Sequence, residues 1–322
     1  MQRITGALTI LVALSGCEII AGIEDTTEAT PDASVDARPA IDAPVDAQPI
    51  DAMPVDLDDD GILNENDNCP DRANPNQYDE DADGVGDLCD NCPSVANADQ
   101  ANVLEGANPD AVGDLCDPHP GIGGDRILHF EPFRDPLSLV WQTLQGGDTW
   151  VVVDGMLTNS DAAPGFKMLY WEMEQASDVV IESEVVIDSL PDPVDMNDHR
   201  SAGVFSTIDM GTFTGYGCAI ELDPRDSPPT SHVRVIRQND PNGWTIWGLP
   251  APEPMSEGVR YKQRLEVDTV NDTVQCKISG PFNEVDPQVI DKGMFDTGFI
   301  GLRTLGTAAS FEYITVYIVD PQ

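Results

Sequence analysis

Twice in this chain aspartates fall into one twelve-residue frame, and that frame dictates the path of the backbone. In Asp56-Leu57-Asp58-Asp59-Asp60-Gly61-Ile62-Leu63-Asn64-Glu65-Asn66-Asp67, oxygen-bearing side chains stand at positions 1, 3, 5, 9 and 12, and glycine stands at position 6. The stretch Asp79-Glu80-Asp81-Ala82-Asp83-Gly84-Val85-Gly86-Asp87-Leu88-Cys89-Asp90 repeats the frame at every one of those positions. Side chains spaced this way converge only if the loop turns sharply at the glycine. Once converged, they form the oxygen-rich shell that a hard cation requires, about six to eight ligands at about 2.3–2.6 Å. The frame is a calcium loop. Its ligands are Asp56, Asp58, Asp60, Asn64 and Asp67 in the first copy and Asp79, Asp81, Asp83, Asp87 and Asp90 in the second, with the backbone carbonyls of Ile62 and Val85 at position 7. One such frame arises by chance in a chain this acidic; two in the same frame are much harder to dismiss.

Asp and Glu outnumber Lys and Arg 58 to 16, and roughly half of the acids lie between Cys17 and Pro120, where aromatic residues are almost absent. That stretch cannot bury a core unaided. The imbalance also excludes a polyphosphate partner, which needs a basic stripe to displace counterions. Cations are the natural partners. EF-hands use a similar loop between amphipathic helices, but here the flanks are Asn68-Cys69-Pro70 and Asn91-Cys92-Pro93, which signal disulfides and turns.

With those flanks, Asp56–Asp117 resembles thrombospondin type 3 repeats. The likeness rests on Asp67-Asn68-Cys69-Pro70, Asn74-Pro75-Asn76-Gln77, the loop ending Gly86-Asp87-Leu88-Cys89-Asp90, Asn91-Cys92-Pro93 and Asn97-Ala98-Asp99-Gln100. The resemblance implies repeats with little hydrophobic core, wrapped around calcium, with sequential cysteines paired: Cys69 with Cys89 and Cys92 with Cys116. A third unit departs from the pattern. Counted back from Asp117 at position 12, it has Asp114 at 9, Val112 at 7, Ala111 at 6, Asp110 at 5, Asn108 at 3 and Gly106 at 1. One ligand and the turn glycine are missing, and Val103-Leu104-Glu105 lengthens the loop, so this site is expected to hold its cation weakly or not at all.

The N-terminus carries one basic residue, Arg3, then an apolar run from Ile4 to Leu14, then Ser15-Gly16-Cys17. A spanning helix needs about 20 apolar residues, and this run is about half that, so it reads as a signal peptide. Leu14-Ser15-Gly16-Cys17 resembles the lipobox of bacterial lipoproteins, which implies lipidation of Cys17. Acyl chains contribute about 0.8 kcal/mol per buried CH₂, so several chains anchor firmly. By the enteric sorting rule, Glu18 after the anchor points to the outer membrane or cell surface. Within the linker, 18–55, the thirty residues from about Thr26 to Val55 repeat Asp-Ala units between prolines, including Pro31-Asp32-Ala33 and Asp42-Ala43-Pro44. Proline fixes φ and like charges repel, so this is a disordered acidic linker reaching on the order of 90 Å.

After a short linker, 119–125, which includes Gly121-Ile122-Gly123-Gly124, β-branched and aromatic residues take over. Strands are expected near Trp150–Val153, Val179–Ile187, Gly203–Thr207, Tyr216–Leu222, Val233–Arg237, Gln263–Val267, Thr273–Ile278, Phe299–Arg303 and Phe311–Ile318. Between Val179 and Asp188 odd positions are nearly all apolar while even ones carry acids, the pattern of a half-buried antiparallel strand. Many short strands without helices indicate a sandwich or jelly roll. Trp150-Val151-Val152-Val153-Asp154-Gly155, the long Val179–Asp188 strand, Gly203-Val204-Phe205, Gly298-Phe299-Ile300-Gly301-Leu302-Arg303 and Phe311-Glu312-Tyr313-Ile314-Thr315-Val316 together resemble the concanavalin A-like lectin/glucanase superfamily, close to laminin-G-like domains. Such a fold hosts binders and hydrolases alike.

Glycosidases of this class place carboxylates as E-x-D-x-x-E or E-x-D-x-E on one strand, about 5.5 Å apart when retaining. Glu182, Glu184 and Asp188 come nearest and fit neither spacing; acids on one strand face are ordinarily its solvated side. His119, His129, His199 and His232 lack paired metal spacing. Trp244 and Trp247 fall on opposite faces of an extended strand, so one of them either faces solvent, where it would stack on a sugar, or packs under a loop. Cys218 and Cys276, in separate strands, are either a third disulfide or two free buried thiols.

The expected chain is therefore mainly β. A signal peptide (1–17) and a disordered linker (18–55) precede a calcium-organised, disulfide-pinned irregular segment (56–118), a linker (119–125) and a C-terminal antiparallel β-sandwich or jelly roll (126–322). The function expected is that of an exported, membrane-anchored, calcium-binding surface lipoprotein, non-catalytic, presenting the sandwich for glycan or protein binding and adhesion. The alternative is a polysaccharide-active hydrolase of the same superfamily.

Overall fold

In the computed structural model of the chain, the described residues are 55–138, 140–145, 149–171, 178–209, 214–240, 243–290 and 299–319. The expected signal peptide, Cys17 and the linker up to residue 54 lie outside them. Residues 55–125 contain neither helix nor strand, only turns and bends, as their shortage of large apolar side chains requires. Among the described residues no helix is long and apolar enough to cross a membrane.

Past residue 125 the alternation of side chains takes over and builds strands. They are β1 (Arg126–Glu131), β2 (Trp141–Gln145), β3 (Trp150–Val153), β4 (Met156–Asn159), β5 (Phe166–Trp171), β6 (Val179–Ser189), β7 (Arg200–Asp209) and β8 (Thr214–Asp223). Then follow β9 (Thr230–Asp240), β10 (Gly243–Pro250), β11 (Arg260–Asp268), β12 (Thr273–Ser279), β13 (Gln288–Ile290), β14 (Phe299–Leu305) and β15 (Ala308–Ile318). One sheet runs β13-β12-β11-β6-β15-β4-β3, with β1 also paired to β15; the other runs β10-β9-β8-β7-β14-β5-β2. The described pairings are antiparallel, and the two sheets form a sandwich.

Between the sheets Ile181, Val185, Ile220, Val235, Leu302 and Phe311 are fully buried. At about 1.5–3 kcal/mol for each such side chain, this core holds the sandwich together. Two of its buried polar side chains reach backbone carbonyls, the first across the layers and the second within one sheet. Gln263 Nε2 donates to the Ala202 carbonyl at 2.9 Å, and Ser183 Oγ donates to the Tyr313 carbonyl at 2.6 Å, where β15 bulges against β6. Trp247 packs partly buried against this core; the side chain of Trp244 lies outside the described residues. Cys218 on β8 and Cys276 on β12 resolve their open alternative as a disulfide between the two sheets, with Cα atoms 5.0 Å apart.

The outer face of β6 departs from expectation. Its odd residues do face the core, but Val180 and Glu182 on the other side are 0% and 5% exposed rather than solvated. Cys92, Val112 and Cys116 of the acidic segment pack there against Val180, Tyr317 and Val319. Glu182 survives burial because Arg264 Nη1 donates to it at 3.2 Å and Lys262 Nζ lies 3.6 Å away. Around this patch Arg134 Nε donates to Glu80 at 2.8 Å, Tyr78 Oη donates to Asp135 at 3.1 Å, and Arg264 Nη2 reaches the Pro118 carbonyl at 3.4 Å. The segment borrows the core it lacks from the back of the sheet.

The bridge between β8 and β12 closes a loop of 58 residues, for which chain-entropy reasoning gives about 4 kcal/mol. The double substitution Cys218→Ala, Cys276→Ala is expected to lower the thermal midpoint of the sandwich under non-reducing conditions while keeping its far-ultraviolet circular dichroism. An unchanged midpoint would show that the bridge contributes nothing to stability.

Candidate metal centres

The two complete loops fold alike, residue for residue. At position 6 the backbone is left-handed, with φ 95° at Gly61 and 96° at Gly84, and an added Cβ would meet nothing there, so the glycine is needed for its conformation alone. Position 5 fixes the turn: Asp60 Oδ1 accepts from Ile62 N at 2.7 Å, and Asp83 Oδ1 accepts from Val85 N at 2.8 Å. Its other oxygen ties the loop to the next segment, accepting from Asn74 N at 2.9 Å and from Asn97 N at 2.7 Å. Position 9 closes the loop start, with Asn64 Oδ1 accepting from Leu57 N and Asp87 Oδ1 from Glu80 N.

Between loops, a small polar lattice replaces a hydrophobic core. Asn68 Nδ2 donates to the Gln77 carbonyl, Asn74 Nδ2 to Asn68 Oδ1, and Gln77 Nε2 to Asp67 Oδ1, at 3.1, 2.7 and 2.8 Å. Asn91, Asn97, Gln100 and Asp90 repeat it at 3.1, 2.7 and 2.7 Å. Disulfides Cys69–Cys89 and Cys92–Cys116 pin it. Gly86 is held by space: a Cβ there would lie 2.4 Å from Asn68 Oδ1 and 2.7 Å from Cys69 Sγ. The Asn-Pro-Asn-Gln and Gly-Asp-Leu-Cys-Asp segments are thus packing elements of the repeat.

What the lattice achieves is convergence of like charges. One carboxylate oxygen from each of Asp56, Asp58 and Asp60 lies within 4.8 Å of the others, and Asp79, Asp81 and Asp83 repeat the arrangement. Asp56 Oδ1, Asp58 Oδ2 and Asp67 Oδ2 in the first loop, and Asp79 Oδ1, Asp81 Oδ2 and Asp87 Oδ2 in the second, are buried with no hydrogen-bond partner. Buried carboxylate oxygens left without a donor are costly, and here they face one another. A hard cation with oxygen ligands fits this donor set, and no sulfur or imidazole enters either cluster.

In the third unit the register found differs from that expected. Asp110, Val112, Asp114 and Asp117 keep positions 5, 7, 9 and 12: Asp110 Oδ1 accepts from Val112 N at 2.8 Å, and Asp114 Oδ1 accepts from Val103 N at 2.9 Å. The second of these bonds puts Asn102, not Gly106, at position 1, just as Leu57 and Glu80 follow Asp56 and Asp79. Asn108 is exposed, and the carboxylate that joins Asp110 and Asp117 in a cluster is that of Glu105. Counting twelve back from Asp117 fails because the extra residues fall inside the loop, between positions 1 and 5. Gly121–Gly124, expected to be linker, donates back to the loop, Gly121 N to Glu105 and Gly124 N to Asp110.

On the sandwich, Glu182 and Glu184 are paired with arginines, Arg264 and Arg260, and Asp188 accepts from Ser310. The acidic frame nearer to a glycosidase spacing is Glu221-Leu222-Asp223-Pro224-Arg225-Asp226 on β8 and the turn after it, which sequence reasoning passed over because the strand was read only to Leu222. Glu221 and Asp223 point away from the core. Arg234 donates to Glu221 at 3.2 Å and to Asp223 at 2.8 Å, His199 Nδ1 lies 3.3 Å from Glu221, and Arg225 Nε donates to Asp223 at 2.9 Å. The Arg225 guanidinium beside Asp223 holds its carboxyl well below the usual carboxylate range. Although His199, Glu221 and Asp223 approach closely enough to ligate an ion, the two guanidinium groups supply the positive charge.

Residues 51–77 and 78–100 match the thrombospondin type 3 repeat family. The repeats bind calcium, in keeping with the oxygen donor set described above. The match ends before the third unit, whose altered loop start lies beyond residue 100. No curated protein sequence matches the chain. Among solved structures, peanut lectin with a nine-residue peptide is 12% identical, covering 61% of this chain and 97% of its own, with a TM-score of 0.43. The VIP36 exoplasmic/lumenal domain in a Ca²⁺/Man3GlcNAc-bound form is 9% identical over 57% of this chain and 85% of its own, at 0.42. A mutant GH43 protein from Bacillus licheniformis is 12% identical over 59% of this chain, at 0.41; the chain spans 39% of that protein's length. These are partial likenesses to lectins and to a GH43 protein, and no ligand passes from them to this chain.

Burial, reinforced by the charges of Asp83 and Asp90, pushes Asp81 up to about 7. Burial likewise pushes Asp87 up to about 6. A raised carboxyl favours the protonated folded form, so the cation-free repeats lose stability as pH rises through these values. The ion needs the ionised form, so below them each binding event must displace protons. Calcium affinity measured by calorimetry is therefore expected to rise between pH 5.5 and 7.5 and level off above, with proton release small at the upper end and growing as pH falls through these values.

Proposed function

We propose that this protein is a surface lipoprotein in which lipidated Cys17 and an acidic linker carry a calcium-stiffened segment and a non-catalytic sandwich that binds a glycan or a protein. The observation that carries this reading is the partition of carboxylates among the described residues. Unpartnered buried carboxyl oxygens gather in the repeats, whereas on the sandwich Glu221 and Asp223 are engaged by arginines and the one such oxygen, Glu182 Oε2, has Lys262 Nζ 3.6 Å away. A glycosidase needs one carboxyl protonated near neutral pH as acid and a second one free. Asp223, held ionised by Arg225 and bonded to Arg234, suits neither role. Three disulfides fit an oxidising compartment outside the cytoplasm.

The hydrolase reading retains one specific support, the Glu221-Leu222-Asp223 frame itself. A glycan array probed with the full chain separates the two. Saturable binding in calcium without release of reducing sugar is expected, and polysaccharide cleavage that vanishes in Glu221→Gln would replace the binding reading with the hydrolase. Anchoring has its own check. Cys17→Ser is expected to move the exported protein from the membrane fraction to the soluble fraction, since acyl chains supply the anchor in this reading, and unchanged membrane partition would remove the lipoprotein claim.

A further inference from the structure

The unit after the matched repeats carries a cluster whose ligands come from outside the expected frame. Glu105, Asp110 and Asp117 each bring a carboxylate oxygen within 4.8 Å of the others. Asp117 is 94% buried by side-chain surroundings, being 6% exposed, and its Oδ2 has no hydrogen-bond partner. Glu105 Oε2 and Asn102 Oδ1 are buried and unpartnered in the same way. These atoms correspond in register to those of the complete loops: Asn102 Oδ1 to Asp56 Oδ1 and Asp79 Oδ1, and Glu105 Oε2 to Asp58 Oδ2 and Asp81 Oδ2. The longer glutamate side chain reaches the cluster from an extended loop, and the strained turn is not needed there: Ala111 is not among the residues with positive φ, whereas Gly61 and Gly84 are.

The same unit is fastened to the sandwich where earlier units are fastened to the next repeat. Asp60 and Asp83 each accept from a backbone N–H fourteen residues on, at Asn74 and Asn97. Asp110 accepts instead from Gly124 N at 3.1 Å and Asp125 N at 2.9 Å, immediately before β1. Asp117 Oδ1 accepts from His119 N at 2.7 Å, as Asp67 and Asp90 accept from Cys69 N and Cys92 N. In place of a disulfide, His119 places Nδ1 3.0 Å from Asp125 and Nε2 3.6 Å from Glu266 on β11. Val112 of the loop, at position 7, is fully buried against the sandwich patch.

We propose that Asn102, Glu105, Asp110 and Asp117 form a third calcium site, and that its occupancy clamps the repeats onto the outer face of β6 and β15. The proposal rests on the calcium reading of the two preceding loops. Glu105→Gln, a substitution of equal size on a half-exposed loop, removes one ligand charge without removing packing; Asp58→Asn, at position 3 of the first loop, is the matched control. Calcium stoichiometry and affinity are measured on the full oxidised chain by calorimetry, and amide exchange by mass spectrometry. Glu105→Gln is expected to take up one ion fewer than the unaltered chain, or to bind its last ion at least about tenfold more weakly, with exchange at Val180–Glu182 and Tyr317–Val319 quickened by a similar factor. Asp58→Asn is expected to weaken an ion without quickening exchange there. Unaltered uptake in Glu105→Gln, alongside loss in Asp58→Asn, overturns the third site alone. A lost ion with unchanged exchange overturns the clamp. No uptake by the unaltered chain overturns this site and the calcium reading together.

Discussion

Carboxylates brought within a few ångströms of one another, with oxygens aimed inward and no donor to receive them, are the constraint on which the irregular segment before the sandwich depends. Repulsion between such groups falls slowly where water is excluded, at about 4 kcal/mol for unit charges 4 Å apart at an effective dielectric of 20. The peptide lattice of Asn68, Asn74, Gln77 and its copy supplies the geometry that enforces this crowding. The ion supplies the charge that makes the geometry tolerable. Neither suffices alone, because the segment has too little apolar surface to offset an ordering entropy of about 1–2 kcal/mol per residue.

That shortage explains why the repeats and the sandwich are not independent in the way their compositions imply. Val180, Tyr317 and Val319 would form an apolar patch on the back of a sheet, and Cys92, Val112 and Cys116 would form one on the irregular segment. Each covers the other. The interface is edged by polar contacts that cross it, Arg134 with Glu80 and Arg264 with the Pro118 carbonyl, and these set the register of two surfaces that hydrophobic contact alone would let slide.

Much of this was legible in the residues. The Asp-x-Asp-x-Asp-Gly frame located two loops, and runs of β-branched and aromatic residues between turn signals, several of them alternating with period two, located nine strands, among them Trp150–Val153 and the long β6. Strands lacking alternation escaped: β5, Phe-Lys-Met-Leu-Tyr-Trp, has bulky groups on both faces, and β10 holds two glycines and a proline. In the third loop a fixed count back from Asp117 reaches Asn108, which is exposed, because such a count assumes constant spacing, whereas the carboxylate that approaches Asp110 and Asp117 is that of Glu105, brought there across an insertion. The buried state of Glu182 was invisible for a related reason. Alternation tells which side of a strand a residue occupies, but not whether another segment lies on that side.

The disulfides, described above as pins of the polar lattice, also govern how the segment transmits a pull. Cys69–Cys89 and Cys92–Cys116 withhold 20 and 24 residues from extension. At about 3.3–3.6 Å per extended residue that is on the order of 150 Å of chain that tension cannot release while the bridges stand. A load entering at Val55 runs along the short stretch before Cys69, crosses each bridge directly, and passes through Asp90-Asn91 between them. Force therefore bypasses the second loop except for Asp90, leaving its other ligands unstretched, and reaches the first sheet of the sandwich through a path far shorter than the sequence it contains. In a reducing medium the same segment would become a long compliant spring.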